Sequence, residues 1–126
     1  KGKKILLVED NELNQEIALE LLSVTGAQVE VACDGAEAVE KFGASREGYY
    51  DLIFMDIHMP VMDGHEASRR IRQMERADAQ AVWIVAMTAD AFVEDVRQAK
   101  EAGMNEHISK PVEPSRLQEI LYRQFT

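Results

Sequence analysis

The sequence predicts an α/β domain, a doubly wound parallel sheet of (βα)5 form. Five short apolar runs recur along the chain, and segments with helical spacing separate them. No internal repeat, low-complexity tract or Pro/Gly-rich linker divides the 126 residues. Strict β-then-α alternation calls for parallel strands joined by right-handed crossovers, with helices covering both faces of the sheet.

The runs are short and largely apolar, as buried strands are. The first, Ile5 to Val8, is followed by a stripe of Ile17, Leu21 and Leu22 that stops at Gly26. The second, Val29 to Ala32, leads to Asp34 as a helix cap and a stripe of Ala36, Val39 and Phe42. The nearest approach to a flexible loop is Gly43 to Tyr50. The third run is Leu52 to Met55, with Asp63 as cap and Ala67, Ile71 and Met74 as stripe. The fourth, Trp83 to Met87, precedes a cap at Asp90, a stripe of Phe92, Val96 and Ala99, and a stop at Gly103. The last is His107 to Ser109, followed by Leu117, Ile120 and Leu121. Aspartate before a stripe and glycine after it are the usual start and stop signals, and each stripe covers a sheet face.

Composition bounds the function. Hydrophobic residues at 46% and charged residues at 29% are ordinary for a folded globular chain of one-domain length. A net charge of -9 repels a phosphate backbone, and with no local basic patch the expectation is no nucleic-acid binding by this segment. A membrane helix needs about 18 or more apolar residues in a row, and no run approaches that, so no membrane contact is expected. The lone cysteine, Cys33, cannot form an internal disulfide; it reads as a buried filler in a strand, with a reactive thiol as the second reading. Lys1 stands where an initiator methionine would, so residues 1–126 are expected to be a single domain taken from a longer chain. The six methionines and Trp83 read as core packing, with Met59 and Met62 shaping the loop after Asp56.

In an open parallel sheet, ligands sit outside the C-terminal edge of the strands. The first strand runs into Glu9 and Asp10, the third ends at Asp56, the fourth at Thr88 and the fifth at Lys110. Polar residues at strand ends can simply cap helices, but three acids, a hydroxyl and a lysine on one edge point to phosphate or metal. If the first and third strands are neighbours, each pair of these acids repels by roughly 3 kcal/mol at ~5 Å and an effective dielectric of ~20. Lys110 offsets part of this, and the remaining oxygen-rich pocket suits a hard divalent cation such as Mg²⁺. The rival account is a raised carboxylate pKa with one acid protonated. The set as a whole is best understood as phosphoryl transfer onto Asp56 as nucleophile.

The segments LLVEDNELNQ at 6–15, DLIFMDIHMPVMDG at 51–64, IVAMTAD at 84–90 and ISKP at 108–111 resemble those of response-regulator receiver domains, and the resemblance covers essentially the whole chain. It implies a flavodoxin-like fold with strand order 2-1-3-4-5 and the switch point between strands 1 and 3. It implies that Asp56 is the phosphoacceptor. It likewise implies that Mg²⁺ would be held by Glu9, Asp10, Asp56 and the backbone carbonyl of His58, and that Thr88 and Lys110 would contact the phosphoryl group. Glu9 stands where the family commonly has aspartate. The resemblance also points to a cis peptide before Pro111, which would aim Lys110 inward; a trans proline that simply starts the last helix is the alternative.

By the same resemblance Thr88 and His107 form the switch, although tyrosine or phenylalanine is usual at the second position, and a plain partly exposed histidine is the competing reading. His58 and Asp90 occupy positions that tune the lifetime of the acyl phosphate. His65 has no such position and reads as solvated or packed on its helix.

The wording NELNQ and DIHMPVMDG is most similar to receivers of hybrid sensor histidine kinases. The implied donor is a kinase phosphohistidine, and the implied acceptor is a histidine phosphotransfer domain docking near Leu13, Asn14 and Ile17. The alternative within the family is a stand-alone response regulator signalling by conformational change. The domain would catalyse its own phosphorylation and slow dephosphorylation in the cytoplasm, within a parent kinase that can be membrane-anchored. Many receivers dimerise through the fourth helix, fifth strand and fifth helix, but nothing here requires it.

Outside the family, an aspartyl phosphatase normally has a second aspartate two residues after the nucleophile, and here that position is His58. A flavodoxin-like cofactor binder would need a Ser/Thr/Gly-rich first loop where this chain is acidic. A pseudo-receiver would be expected to lack Asp56 or Lys110.

Overall fold

The computed structural model describes residues 3–23, 26–56, 62–75, 78–88, 97, 100–109 and 114–125. Strands β1 (Lys4–Val8), β2 (Gln28–Ala32), β3 (Leu52–Asp56), β4 (Trp83–Thr88) and β5 (Glu106–Ser109) form one parallel sheet in the order β2-β1-β3-β4-β5. Each lies within a residue of its expected bounds, and the order is the one the resemblance implied. Among the described residues the helices are α1 (Glu12–Ser23), α2 (Gly35–Ala44), α3 (Gly64–Arg72), the short α4 (Asp78–Ala81) and α5 (Pro114–Phe125).

The inner strands read as unbroken apolar runs because both faces are covered. Alternate side chains divide between two cores. Leu6, Val8, Ile53, Met55, Ile84 and Ala86 face Ala38 and Phe42 of α2 and Ala67 and Ile71 of α3. Ile5, Leu7, Leu52, Phe54, Val85 and Met87 face Ala18 and Leu22 of α1 and Leu117, Ile120 and Leu121 of α5. The Asp34 carboxylate accepts from the Glu37 N–H at 2.8 Å and that of Asp63 from the Glu66 N–H at 2.9 Å, so both expected caps hold. Gly26 and Gly103 take φ of 82° and 98°, the left-handed turn that ends a helix with no Cβ to clash.

Several expectations are corrected. Ile17 does not cover the sheet: Ala18 and Leu22 do, and Ile17 is 44% exposed beside Leu13 at 65%. The small Ala18 side chain packs on the sheet and turns Leu13 and Ile17, one helical turn apart, outward. On α2, Gly35, Ala38 and Phe42 are the buried positions, while Ala36 and Val39 are only half-buried. Met74 lies beyond the end of α3 but still packs against the core. Cys33 is exposed, because β2 ends at Ala32 and leaves it at the sheet edge. The loop expected from Gly43 begins only after α2 ends at Ala44. It is pinned by Tyr50, which is buried, and by the Gly48 N–H donating to the Asp78 carboxylate at 2.8 Å. The stripe of Phe92, Val96 and Ala99 and the cap at Asp90 lie outside the described residues.

Two polar clusters tie the elements together. The Arg72 guanidinium donates to the carbonyls of Gly103, Ala79 and Val82 and to Asn105 Oδ1, at 2.8 to 2.9 Å, joining α3 to the ends of α4 and the approach to β5. On β2, the Glu30 carboxylate accepts the hydroxyls of Tyr49 and Tyr50. The Tyr49 hydrogen bond, helped by that of Tyr50 and by Lys41 and Lys4, outweighs burial and holds the Glu30 carboxyl below its ordinary range. Burial, then the bond to Glu30, pushes the Tyr50 phenol up.

Arg72→Met keeps the apolar stem and leaves the acceptors without this donor, so unfolding in urea should show a loss of about 2–3 kcal/mol. A loss below about 0.5 kcal/mol would mean that the acceptors find other partners at no cost. A carboxyl depressed in the folded state stabilises above its ordinary value and loses that contribution as the pH falls through the lowered one. The stability of the wild type should therefore decline more steeply than that of Glu30→Gln between about pH 5 and pH 3. Parallel declines would remove Glu30 from the acid response.

Candidate functional site

Parallel registration decides which strand ends meet. Val8 of β1 lies beside Met55 of β3, so Glu9 and Asp10 leave β1 next to Asp56, the last residue of β3. The carboxylates of Glu9, Asp10 and Asp56 each offer an oxygen within 4.8 Å of the others. Glu9 is 2% exposed and Asp56 3%, whereas Asp10 is exposed. Two buried like charges at this separation repel by about 3 kcal/mol at an effective dielectric of ~20.

The backbone holds Glu9 closely. Its N–H donates to the Ala32 carbonyl at 3.0 Å, continuing the ladder to β2. Its carbonyl accepts from Gln15 Nε2 at 2.5 Å, and its Oε2 accepts from the Asn11 N–H at 3.2 Å. Asn11 also caps α1, its Oδ1 accepting from the Asn14 N–H at 3.1 Å. Neither Asn11 nor Gln15 is marked as a site residue by the sequence reading. The cap preference of asparagine directly before a helix was the available signal for Asn11; for Gln15 there was none. At the start of α2, the N–H of Gly35 donates to the Met62 carbonyl at 3.1 Å. A Cβ at Gly35 would lie 2.4 Å from that oxygen, so only glycine permits the approach.

Of the other expected site residues, Thr88 ends β4 and pairs in register with Ser109; its side chain is not among those described. His107 is half-buried on β5, opposite Ala86 of β4. Alternation along the strand turns it away from Ile108 and toward the face that Ala86 shares with α2 and α3. His65 is partly buried on α3, the packed alternative of its two readings. His58, Asp90, Lys110 and Pro111 lie outside the described residues. No helix among the described residues is long and apolar enough to cross a membrane.

The acidic pocket lies at the β1/β3 switch point of a 2-1-3-4-5 sheet, the place where flavodoxin-like α/β domains bind their ligands. The model of the response regulator receiver domain matches residues 5–122, and the chain belongs to that family, the receiver domains of two-component signalling. Hybrid signal transduction histidine kinase L of Dictyostelium discoideum is 40% identical over 119 residues, which cover 94% of this chain and 7% of the kinase. Among solved structures, the receiver domain of the sensor histidine kinase PA1611 from Pseudomonas aeruginosa PAO1 holds a magnesium ion in its active site cleft. It matches with a TM-score of 0.87 at 40% identity, covering 98% of both chains. The receiver domain of Ssk1, co-crystallised with the Saccharomyces cerevisiae histidine phosphotransfer protein Ypd1, matches with a TM-score of 0.85 at 33% identity, covering 98% of this chain and 88% of that one.

Proposed function

We propose that this domain takes a phosphoryl group from a kinase phosphohistidine onto Asp56 and passes it to a histidine phosphotransfer domain. The observation that carries this reading is the gathering of Glu9, Asp10 and Asp56 at one sheet edge, with Asp56 almost wholly buried. A carboxylate oxygen of Asp56 attacks phosphorus, the P–N bond to the donor imidazole breaks, and the imidazole retains the electron pair and takes a proton. Burial strips Asp56 of competing water.

Three hard carboxylate oxygens within 4.8 Å fit Mg²⁺, which Glu9, Asp10 and Asp56 would hold together with the His58 carbonyl. When bound, Mg²⁺ neutralises charge on the transferring phosphoryl oxygens. Thr88 and Lys110 are assigned to the remaining phosphoryl oxygens, with a cis bond before Pro111 directing Lys110. His58 and Asp90 tune access of the hydrolytic water, and His107 responds to movement of Thr88. The magnesium-bearing PA1611 receiver supports the metal assignment, and the Ypd1 complex supports a phosphotransfer partner. Since the donor phosphohistidine is made from ATP, the reading places the domain in the cytoplasm.

The docking face for that partner is assigned to α1. Leu13 and Ile17 project side by side into solvent, and α1 carries Glu12, Glu16 and Glu20 with no basic residue. Such a face suits an apolar partner surface with basic residues around it.

Intact mass after incubation with acetyl phosphate and Mg²⁺ should show a gain of one phosphoryl group, absent in Asp56→Ala and absent with EDTA. No gain in the wild type, or a gain that survives in the variant, would overturn the assignment. The double variant Leu13→Asp/Ile17→Asp should still be labelled by acetyl phosphate yet exchange phosphoryl groups with a phosphotransfer domain at least about tenfold more slowly. An unchanged exchange rate would move the docking face elsewhere.

A further inference from the structure

We infer that Gln15 is a positioning residue for the metal site: by anchoring the Glu9 carbonyl it sets the place of Asp10. This rests on the function proposed above. The Gln15 side chain reaches back from the first turn of α1, and its Nε2 donates to the Glu9 carbonyl at 2.5 Å. The same Nε2 lies 3.9 Å from Cys33 Sγ, a second acceptor just past the end of β2. The side-chain amide thus joins α1 to the ends of both β1 and β2.

The three acids are not held alike. Glu9 and Asp56 are fixed by burial in the sheet edge, and Glu9 additionally by the N–H of Asn11. Asp10 is exposed and follows the strand, so packing does not fix its carboxylate. What locates it is the peptide unit joining it to Glu9, which is planar: an anchor on the Glu9 carbonyl fixes the Asp10 nitrogen and, with it, the root of the Asp10 side chain. The Glu9 N–H, bonded to Ala32, pins the other end of that residue. Gln15 therefore closes a ring from Glu9 through the start of α1 and back to Glu9, preorganising the exposed acid against the repulsion of its neighbours.

The test is Mg²⁺ titration by calorimetry of the wild type and Gln15→Leu, with metal-free urea unfolding alongside. Loss of the donor should weaken Mg²⁺ binding by about three- to tenfold, the usual range for one hydrogen bond. A purely structural role would lower metal-free stability and leave the Mg²⁺ affinity within about twofold of wild type, and that result overturns the inference. Gln15→Met, unbranched and of similar length, serves the same comparison where the leucine variant does not fold. Wild type that binds Mg²⁺ equally with either variant sinks this inference alone, whereas wild type that binds no Mg²⁺ sinks the function beneath it as well.

Discussion

The pairing of Val8 with Met55 between β1 and β3 sets where negative charge accumulates. Parallel strands bring their C-terminal ends to one edge, so residues that follow two neighbouring strands meet whether or not their charges agree. Glu9 and Asp56 are drawn under the surface in this way, and much of the surrounding architecture accommodates them. Apolar side chains on both faces of β1 and β3 hold the register, so the two acids do not move apart without exposing those side chains. The strength of the hydrophobic cores is what keeps an electrostatically unfavourable pocket assembled.

Around that pocket the contacts are backbone contacts to a large extent. The Glu9 N–H, the Glu9 carbonyl and the Asn11 N–H are all engaged. Backbone groups are anchored by the sheet and helices they belong to, and they hold position more stiffly than long side chains do. Gly35 illustrates the tolerance: its missing Cβ lets α2 begin against the Met62 carbonyl, and so links the second βα unit to the segment leading into α3.

The strands were legible in the sequence because burial on both faces leaves an unbroken apolar run, and the meeting of Glu9, Asp10 and Asp56 was legible because they stand where two such runs end. Helix orientation was harder to read. On α1 the pattern of large apolar residues pointed to Ile17, but close packing against a sheet favours a small residue, and Ala18 takes the inner position. Cys33 was misread for a related reason: the residues before it form an apolar run, but the strand stops at Ala32. Long-range polar contacts left no periodic trace. Arg72 is an arginine among several on α3, and only the fold places four acceptors around it. The four-residue α4 is too short for a stripe to reveal.

The two outer strands, β2 and β5, form the edges of the sheet, and each carries a glutamate held by neighbouring side chains. Glu30 is clasped by Tyr49 and Tyr50; Glu106 meets Arg116, Arg123 and the Trp83 indole. A strand from another copy that paired with either edge would lie near one of these charges, which discourages extension of the sheet. An edge strand that carries a fixed charge is a poor template for fibre-like growth.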